Sequence, residues 1–192
     1  MTERRRKKMM RVLRHRQRHL TVVIEDIHDP HNVSAMLRSA DAVGIPEVQL
    51  VYVKDKLPRL GKKSSASAVK WVSRRSFTSI RECYEQLRKE GLLIYATRLD
   101  AKSQSLCDLD LTKKVALVFG NENRGVSEEA AKLADGNFQI PMVGMIQSLN
   151  VSVACAVALY EAFRQRDHAG MYAKSSLSRS EIKKLFEEWK QK

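Results

Sequence analysis

The stretch "DPHNVSAMLRSAD" combines helix-start signals with side chains that can bind an anion or a sugar. Asp29, followed by a proline, favours the beginning of a helix and leaves Asn32 in its first turn. The apolar positions of this helix form its core face and turn Arg38 away from it, on the same side as Asp41. A guanidinium beside a helix N-terminus suits a phosphate or a ribose, although a solvated arginine accounts for the same pattern.

A second stretch, "VALVFGNENRGVSEE", predicts a strand, a polar turn and the start of a helix. Gly120 and Gly125 permit sharp turns, and Ser127 is a good cap for the helix. Ligands of open α/β sheets bind at the carboxyl ends of strands, which places residues 121–124, among them Glu122, at a candidate site. The stretch is not a phosphate-binding P-loop, because its second glycine is followed by valine and serine. An ordinary polar loop remains the alternative.

The third stretch, "IPMVGMIQSLNVSVA", is mostly apolar but is interrupted by Gln147, Ser148 and Asn150. Ser148 is placed to cap the helix that follows, whereas capping explains neither Gln147 nor Asn150. The first two turns of that helix are apolar nearly all round, which predicts burial on several sides. A ligand-binding loop leading into an interface helix accounts for more of these residues than a core helix with a single cap.

Apolar periodicity places these stretches in an α/β fold. Five short apolar runs alternate with helical stretches, which predicts a mainly parallel sheet with helices on both faces. The nearly continuous apolar run "VALVFG" is typical of a central strand. The predicted strands are residues 20–26, 47–53, 92–99, 115–120 and 138–143, and the predicted helices are residues 32–43, 79–90, 127–134 and 148–166. Residues 54–70, rich in lysine and serine, predict a long basic surface loop.

Both ends of the chain add helices to this core. Residues 1–19 carry many arginines and lysines together with an apolar stripe at helical spacing, which predicts a basic helix. Near the other end, Ser178 and Glu181 have the spacing of a capping box that opens an amphipathic helix. We therefore divide the chain into a basic N-terminal helix, residues 1–19, a core, residues 20–168, and a C-terminal helical extension, residues 169–192.

The composition favours a folded protein with an anionic partner. The chain has 192 residues, of which 43% are hydrophobic, and a formal net charge of +13, so nucleic acid is the first candidate. No apolar run reaches the roughly 18 residues that span a bilayer, and the N-terminus lacks the apolar core of a signal peptide, so we expect a cytoplasmic protein without membrane contact. Cys83, Cys107 and Cys155 lack the spacing of a zinc site, and we expect packing thiols and no metal.

Together the three stretches resemble the three motifs of the SpoU/TrmH family of RNA ribose 2′-O-methyltransferases, which belong to the SPOUT class. They occur in the family's order and spacing, and the resemblance covers residues 20–166. It implies a SPOUT-type α/β sheet with a C-terminal deep trefoil knot, S-adenosylmethionine as cofactor, and a homodimer in which Arg38 of one subunit approaches the cofactor of the other. The short terminal helices around a minimal core resemble the members that act on tRNA, which implies 2′-O-methylation of a tRNA ribose at guanosine 18.

The resemblance also assigns roles to individual residues. It implies Arg38 as the catalytic residue, supported by Asn32, with Glu122, Ser148 and Asn150 as the other polar motif residues. Cofactor contacts are implied for Thr97, Phe119, Gly120, Ile140, Met145, Leu149 and Asn150. A guanidinium is a poor general base, so we expect Arg38 to orient the ribose hydroxyl and to neutralise phosphate.

Basic residues outside the catalytic set are the expected contacts to RNA. They are Arg4, Arg5, Arg6, Lys7, Lys8 and Arg11 in the first helix, His31 within the first motif, and Arg164 and Arg166 after the third. Two other functions stay open on the sequence alone. The substrate could be a ribosomal RNA ribose, because the motifs encode chemistry and not the RNA scaffold. The chain could also be a basic RNA-binding protein without catalysis, but five intact polar motif residues argue against that.

Overall fold

The computed structural model describes residues 1–53, 58 and 68–192, and one parallel sheet lies at its centre. The strands are β1 (Leu20–Glu25), β2 (Glu47–Val51), β3 (Ser73–Phe77), β4 (Leu93–Thr97), β5 (Gln104–Ser105), β6 (Val115–Phe119) and β7 (Gly136–Gln139). The helices are α1 (Glu3–Arg14), α2 (Pro30–Ala42), α3 (Ala68–Trp71), α4 (Ile80–Lys89), α5 (Glu128–Leu133), α6 (Val151–His168) and α7 (Arg179–Lys190), with a short 3-10 helix at Leu106–Asp108. All strand pairs in the described sheet are parallel, which confirms the predicted α/β fold.

The strand order β3-β2-β1-β6-β4-β7-β5 changes direction between β1 and β6. From β1 the chain continues outward through β2 and β3, whereas β6, β4, β7 and β5 lie on the other side of β1. Ligands of such sheets bind at this switch point, beyond the carboxyl ends of the strands. Ile24 pairs with Phe119 at that edge, so the loops after β1 and β6 leave the sheet side by side.

Apolar side chains cover both faces of the sheet. One face packs against α2, α3 and α6, with Met36 and Leu159 in the buried cluster. The other face packs against α4 and α5, with Tyr84 and Ala130 in a second cluster. Every residue of β6 is buried, because this central strand is covered on both sides. The predicted two-sided packing and the central place of this strand are therefore confirmed.

Several details of the sequence prediction are wrong. The strand expected over residues 138–143 is Gly136–Gln139, and Pro141, which cannot donate a ladder hydrogen bond, follows its end. The edge strand β3 was not predicted, because "SRRSF" lacks an apolar face. An edge strand tolerates such charged residues, since one side of it has no partner. Cys107 is exposed and is not a packing thiol, whereas Cys83 and Cys155 are buried.

The structure describes only part of the predicted basic loop, residues 54–70. Pro58 and residues 68–70 are described, and the last three belong to α3 instead of a loop. Residues 54–57 and 59–67 lie outside the described residues. Within the described part of the chain, no helix is long and apolar enough to cross a membrane.

The two terminal helices pack against each other. Met9 and Leu13 of α1 are buried against Trp189 of α7, which explains the apolar stripe of the basic helix. The backbone N–H of Arg18 donates to Ser176 Oγ at 2.7 Å, and this contact joins the segment after α1 to the segment before α7. The predicted capping box at the start of α7 is present. The N- and C-terminal extensions thus share one small apolar cluster.

Arg166 is fully buried at the end of α6, so its predicted place in an RNA-binding surface is wrong. Its guanidinium donates to the carbonyl oxygens of Leu111 at 2.9 Å, His19 at 2.8 Å and Lys113 at 2.6 Å, and to Gln17 Oε1 at 3.2 Å. Burial lowers the pKa of Arg166 to about 10, which leaves it charged at neutral pH. These hydrogen bonds join α6 to the segments that precede β1 and β6.

Replacing Arg166→Met should destabilise the protein by about 3 kcal/mol, because the buried oxygens that it satisfies would lose their donor. Arg164→Met is the matched control, since Arg164 is exposed and, among the described residues, pairs with Glu161 alone, one turn earlier. That variant should change stability by less than about 0.5 kcal/mol. Urea unfolding followed by circular dichroism measures both, and equal midpoints for the two variants would contradict the assignment.

Candidate active site

The loop after β6 is a compact polar turn. Gly120 allows it, because a Cβ at this position would lie 2.2 Å from the carbonyl oxygen of Gly125. Gly125 has a φ of +68°, in the left-handed region that favours glycine. Asn121 Oδ1 accepts hydrogen bonds from the backbone N–H groups of Asn123 at 3.0 Å and Arg124 at 3.3 Å. The turn fixes the position of Glu122 within it.

Two contacts attach this turn to the end of β1. Asn121 Nδ2 donates to the carbonyl oxygen of Asp26 at 2.7 Å. The carboxylate of Glu25 accepts from the backbone N–H of Ser127 at 2.9 Å and from its hydroxyl at 2.6 Å. Burial raises the pKa of Glu25, and the bonds from Ser127 partly oppose that rise. Glu25 is not among the predicted site residues, although an acidic pair at the end of an apolar strand is a signal that identifies it.

The carboxylate of Glu122 joins the turn to the first turn of α2. It accepts from the backbone N–H groups of His28 at 3.2 Å and Asp29 at 3.3 Å, and from Asn32 Nδ2 at 2.9 Å. As predicted, Asp29 caps α2 and leaves Asn32 at the start of the helix. Partial burial acts to raise the pKa of Glu122, but the donors from Asn32, His28 and Asp29 outweigh it, and the net pKa is lowered. A carboxylate held ionised in this way is a structural acceptor and a weak base.

Asn150 extends the same network to α6. Its Nδ2 donates to Asn32 Oδ1 at 3.2 Å. Its Oδ1 accepts from the backbone N–H groups of Ser152 at 2.9 Å and Val153 at 3.4 Å, which makes Asn150 the cap of α6. A continuous chain of hydrogen bonds therefore runs from Glu122 through Asn32 to Asn150. It brings together one residue from each of the three polar stretches.

Ser148 is not the helix cap that the sequence predicted. The helix α6 begins at Val151, two residues later than a Ser148 cap requires, because the amide oxygen of Asn150 reaches both free N–H groups. Ser148 and Gln147 are exposed, and among the described residues neither side chain makes a hydrogen bond. They are available to a ligand, but the structure does not bring them into the network.

Arg38 lies on α2, more than one turn beyond Asn32, and does not contact the network. Its side chain is exposed, and within residues 1–53 and 68–192 it makes no hydrogen bond or ion pair. The expectation that Arg38 points away from the core is confirmed. An exposed guanidinium next to an ordered polar site is suited to a phosphate or a hydroxyl oxygen.

Most of the expected cofactor contacts gather at one edge of the sheet. Thr97 and Phe119 end the neighbouring strands β4 and β6, and Ile140 follows β7. The hydroxyl of Thr97 donates to the carbonyl oxygen of Val118 at 3.0 Å, which leaves its oxygen lone pairs free to accept. Gly120 is buried at the same edge. Leu149 is half-buried beside Asn150, whereas the side chain of Met145 is fully exposed.

Comparison with known proteins identifies the family. The model of the SpoU rRNA Methylase family matches residues 19–160. The chain belongs to the SpoU methylase family. It is 45% identical to the tRNA (guanosine(18)-2′-O)-methyltransferase of Thermus thermophilus, over 100% of this chain and 98% of that protein.

Solved structures of SpoU proteins share the fold. The A. aeolicus TrmH/SpoU tRNA modifying enzyme has a TM-score of 0.92 and 38% identity, over 97% of this chain and 95% of that one. The SpoU methyltransferase AviRb from Streptomyces viridochromogenes, in complex with the cofactor AdoMet, has a TM-score of 0.67 and 27% identity, over 81% of this chain and 62% of that one.

The basic residues expected to bind RNA in this SpoU protein are mostly on the surface. The exposed ones are Arg4, Arg5, Arg6, Lys7, Lys8, Arg11, His31 and Arg164. Arg6 pairs with Glu3 and Arg164 with Glu161, so part of their charge is already neutralised. Within the described residues, no group of three or more His, Cys, Asp or Glu side chains could hold a metal ion.

The lowered pKa of Glu122 predicts a pH-dependent contribution to stability. Its carboxylate should stabilise the fold above the unfolded glutamate pKa of about 4.3, and this contribution should be lost as the pH falls through the lower folded pKa. The stability difference between wild type and Glu122→Gln should therefore shrink from pH 7 to pH 3. Glu85→Gln is the control, because Glu85 is exposed and makes no hydrogen bond among the described residues. Unfolding midpoints of the wild type and both variants, measured from pH 7 to pH 3, test this prediction. A stability difference between wild type and Glu122→Gln that stays constant with pH would contradict it.

Proposed function

We propose that this chain transfers a methyl group from S-adenosylmethionine to the 2′-hydroxyl of a tRNA ribose, at guanosine 18. The observation that carries the proposal is the hydrogen-bond chain of Glu122, Asn32 and Asn150 at the switch point of a SpoU-family sheet. Full-length similarity to a tRNA guanosine-18 methyltransferase supports the choice of substrate. A ribosomal RNA ribose has less support, because the similarity to a 23S rRNA (guanosine-2′-O-)-methyltransferase is 40% identity over only 78% of this chain and 60% of that protein.

The residues at the carboxyl edge fit S-adenosylmethionine. Thr97, Gly120 and Ile140 offer a hydroxyl oxygen, close backbone approach and an apolar contact at the ends of adjacent strands. Exposed apolar side chains in the following loop, Val143, Met145 and Ile146, are suited to cover a nucleoside ring. When bound, the cofactor supplies an electrophilic methyl group on a sulfonium. The network around Asn150 sets the position of the loop that covers it.

Arg38 positions the reacting hydroxyl. Guanidinium groups cannot be deprotonated at neutral pH, so Arg38 orients the ribose and neutralises an adjacent phosphate instead of taking the proton. Methyl transfer needs the attacking oxygen in line with the methyl carbon and the sulfur, and holding that geometry is a large part of the rate enhancement. Glu122 is a poor candidate for the base, because three N–H donors lower its pKa.

The exposed basic face of α1 supplies affinity for the RNA backbone. Arg4, Arg5, Lys7, Lys8 and Arg11 are exposed, while Met9 and Leu13 dock the helix on α7. Contacts of this kind neutralise phosphates and carry little sequence information.

A trefoil knot that includes the segment before α6, and a cytoplasmic location, are also part of the proposal. Family membership supports the first and a tRNA substrate supports the second.

We further propose a homodimer built on α6. Three apolar side chains of this helix are exposed at helical spacing: Val153, Val157 and Tyr160. The adjacent loop exposes Met145 and Ile146 as well. A continuous apolar surface beside a polar site marks an interaction site. A second copy of the chain would cover it and would bring its own Arg38 towards the cofactor.

The function is tested by incubating the protein with labelled S-adenosylmethionine and, in parallel reactions, a tRNA transcript or ribosomal RNA. Label should appear as 2′-O-methylguanosine and should be absent from a transcript with adenosine at position 18. Arg38→Ala should lower turnover by about 100-fold or more, as expected for loss of a group that contacts the reacting atoms. Arg81→Ala is the control and should leave turnover unchanged, because Arg81 lies on α4, on the opposite face of the sheet. Label only in ribosomal RNA would favour the alternative substrate, and RNA binding without label would favour a non-catalytic protein.

The dimer is tested with two apolar positions of similar exposure. Val157 on α6 is 41% exposed and Leu93 at the start of β4 is 37% exposed. Val157→Lys should produce a monomer in light scattering, because a buried lysine without a partner opposes association. Leu93→Lys should remain dimeric. Identical particle masses for these two variants would contradict an α6 interface.

A further inference from the structure

Arg38 and Asp41 are natural partners on α2. They are three residues apart, and residues at this spacing are neighbours on a helix surface. Helical side chains lean towards the N-terminus, which directs Asp41 towards Arg38. Asp41 is also the only acidic residue of this helix. An ion pair between the two would occupy the guanidinium of Arg38, which in the proposed function contacts the RNA.

The structure does not contain this ion pair, and another arginine holds Asp41. Arg16, in the segment after α1, donates from its Nη2 to Asp41 Oδ1 at 2.7 Å. Arg16 is fully buried, and it also donates to the carbonyl oxygens of Ile45 and Trp71, each at 3.0 Å. The centre of the Trp189 ring lies 5.2 Å from the guanidinium carbon of Arg16. These contacts fix Arg16, so Asp41 is held by a preorganised partner.

The two arginines differ in what they require. The buried guanidinium of Arg16 is paired with Asp41, and removing one partner of a buried pair leaves an uncompensated charge. Burial lowers the pKa of Arg16, and the charge and hydrogen bond of Asp41 act against that. Arg38 is exposed, and an exposed ion pair contributes little. The competition for Asp41 therefore favours Arg16.

We propose that Arg16 is a positioning residue that occupies Asp41 and thereby keeps the guanidinium of Arg38 free for substrate. The proposal rests on the proposed function for its effect on catalysis. Arg16 lies where α1, α2, α3 and α7 meet, so docking of the terminal helices is linked to the state of Arg38. The terminal extension then contributes to turnover as well as to RNA affinity.

Four variants test this role: Arg16→Met, Arg16→Lys, Asp41→Asn, and the double variant Arg16→Met with Asp41→Asn. Single-turnover methylation is measured at saturating RNA and cofactor, below the unfolding temperature of each variant. Arg16→Met should lower the rate about two- to fivefold, the range that an exposed helical ion pair supports. The double variant should recover the wild-type rate although it is no more stable than Arg16→Met. Arg16→Lys, which keeps the charge but not the planar fork, should retain most of the rate.

A merely structural role predicts a different pattern. In that case the double variant would be at least as slow as Arg16→Met, and Arg16→Lys would follow stability instead of charge. Either result overturns the proposal while leaving the methyltransferase activity of the wild type intact.

A readout independent of activity follows the contact itself. The Nε–Hε signal of Arg38 in a nitrogen-correlated NMR spectrum, assigned by its loss in Arg38→Lys, should shift in Arg16→Met. It should return in the double variant. An unchanged signal in Arg16→Met overturns the proposal even if the wild type transfers no methyl group.

Discussion

The site depends on the hydrogen-bond chain from Glu122 through Asn32 to Asn150. Its members come from the loop after β6, the first turn of α2 and the cap of α6, so three distant parts of the sequence are held in one geometry. Asn32 is central, since one end of its amide donates to Glu122 and the other accepts from Asn150. Such a network is stable only when every member is satisfied. The lowered pKa of Glu122 keeps its carboxylate, the first acceptor of the network, ionised.

The strong positive charge of the chain serves two different purposes. Arg16 and Arg166 are fully buried and satisfy backbone carbonyl oxygens where the terminal segments join the core. The basic residues of α1 are exposed and available to an anionic partner. Net charge alone does not separate these purposes, because a buried arginine and a surface arginine contribute equally to it. Burial and hydrogen-bond partners do separate them.

The single chain leaves the apolar side of its site uncovered. Ile146 in the loop and Val157 and Tyr160 on α6 expose apolar surface beside the ordered polar network. Cofactor and a second subunit are the two proposed occupants of this surface. The polar residues of the same loop, Gln147 and Ser148, are exposed with it. Contacts among the described residues therefore do not explain the polarity of Gln147 and Ser148, whereas Asn150 caps α6.

The sequence by itself determined the parallel α/β fold, the capped start of α2 and the polar turn at Glu122, because apolar periodicity and capping are local properties. It also marked Asn150 as unusual, but the expectation that capping does not explain Asn150 is wrong, because Asn150 caps α6. Only the tertiary structure decided that Asn150 and not Ser148 caps α6, since that choice depends on the contact with Asn32. The same is true of Arg166, which looks like surface charge in the sequence but is enclosed by segments distant along the chain. Burial is set by long-range contacts, and local pattern does not encode them.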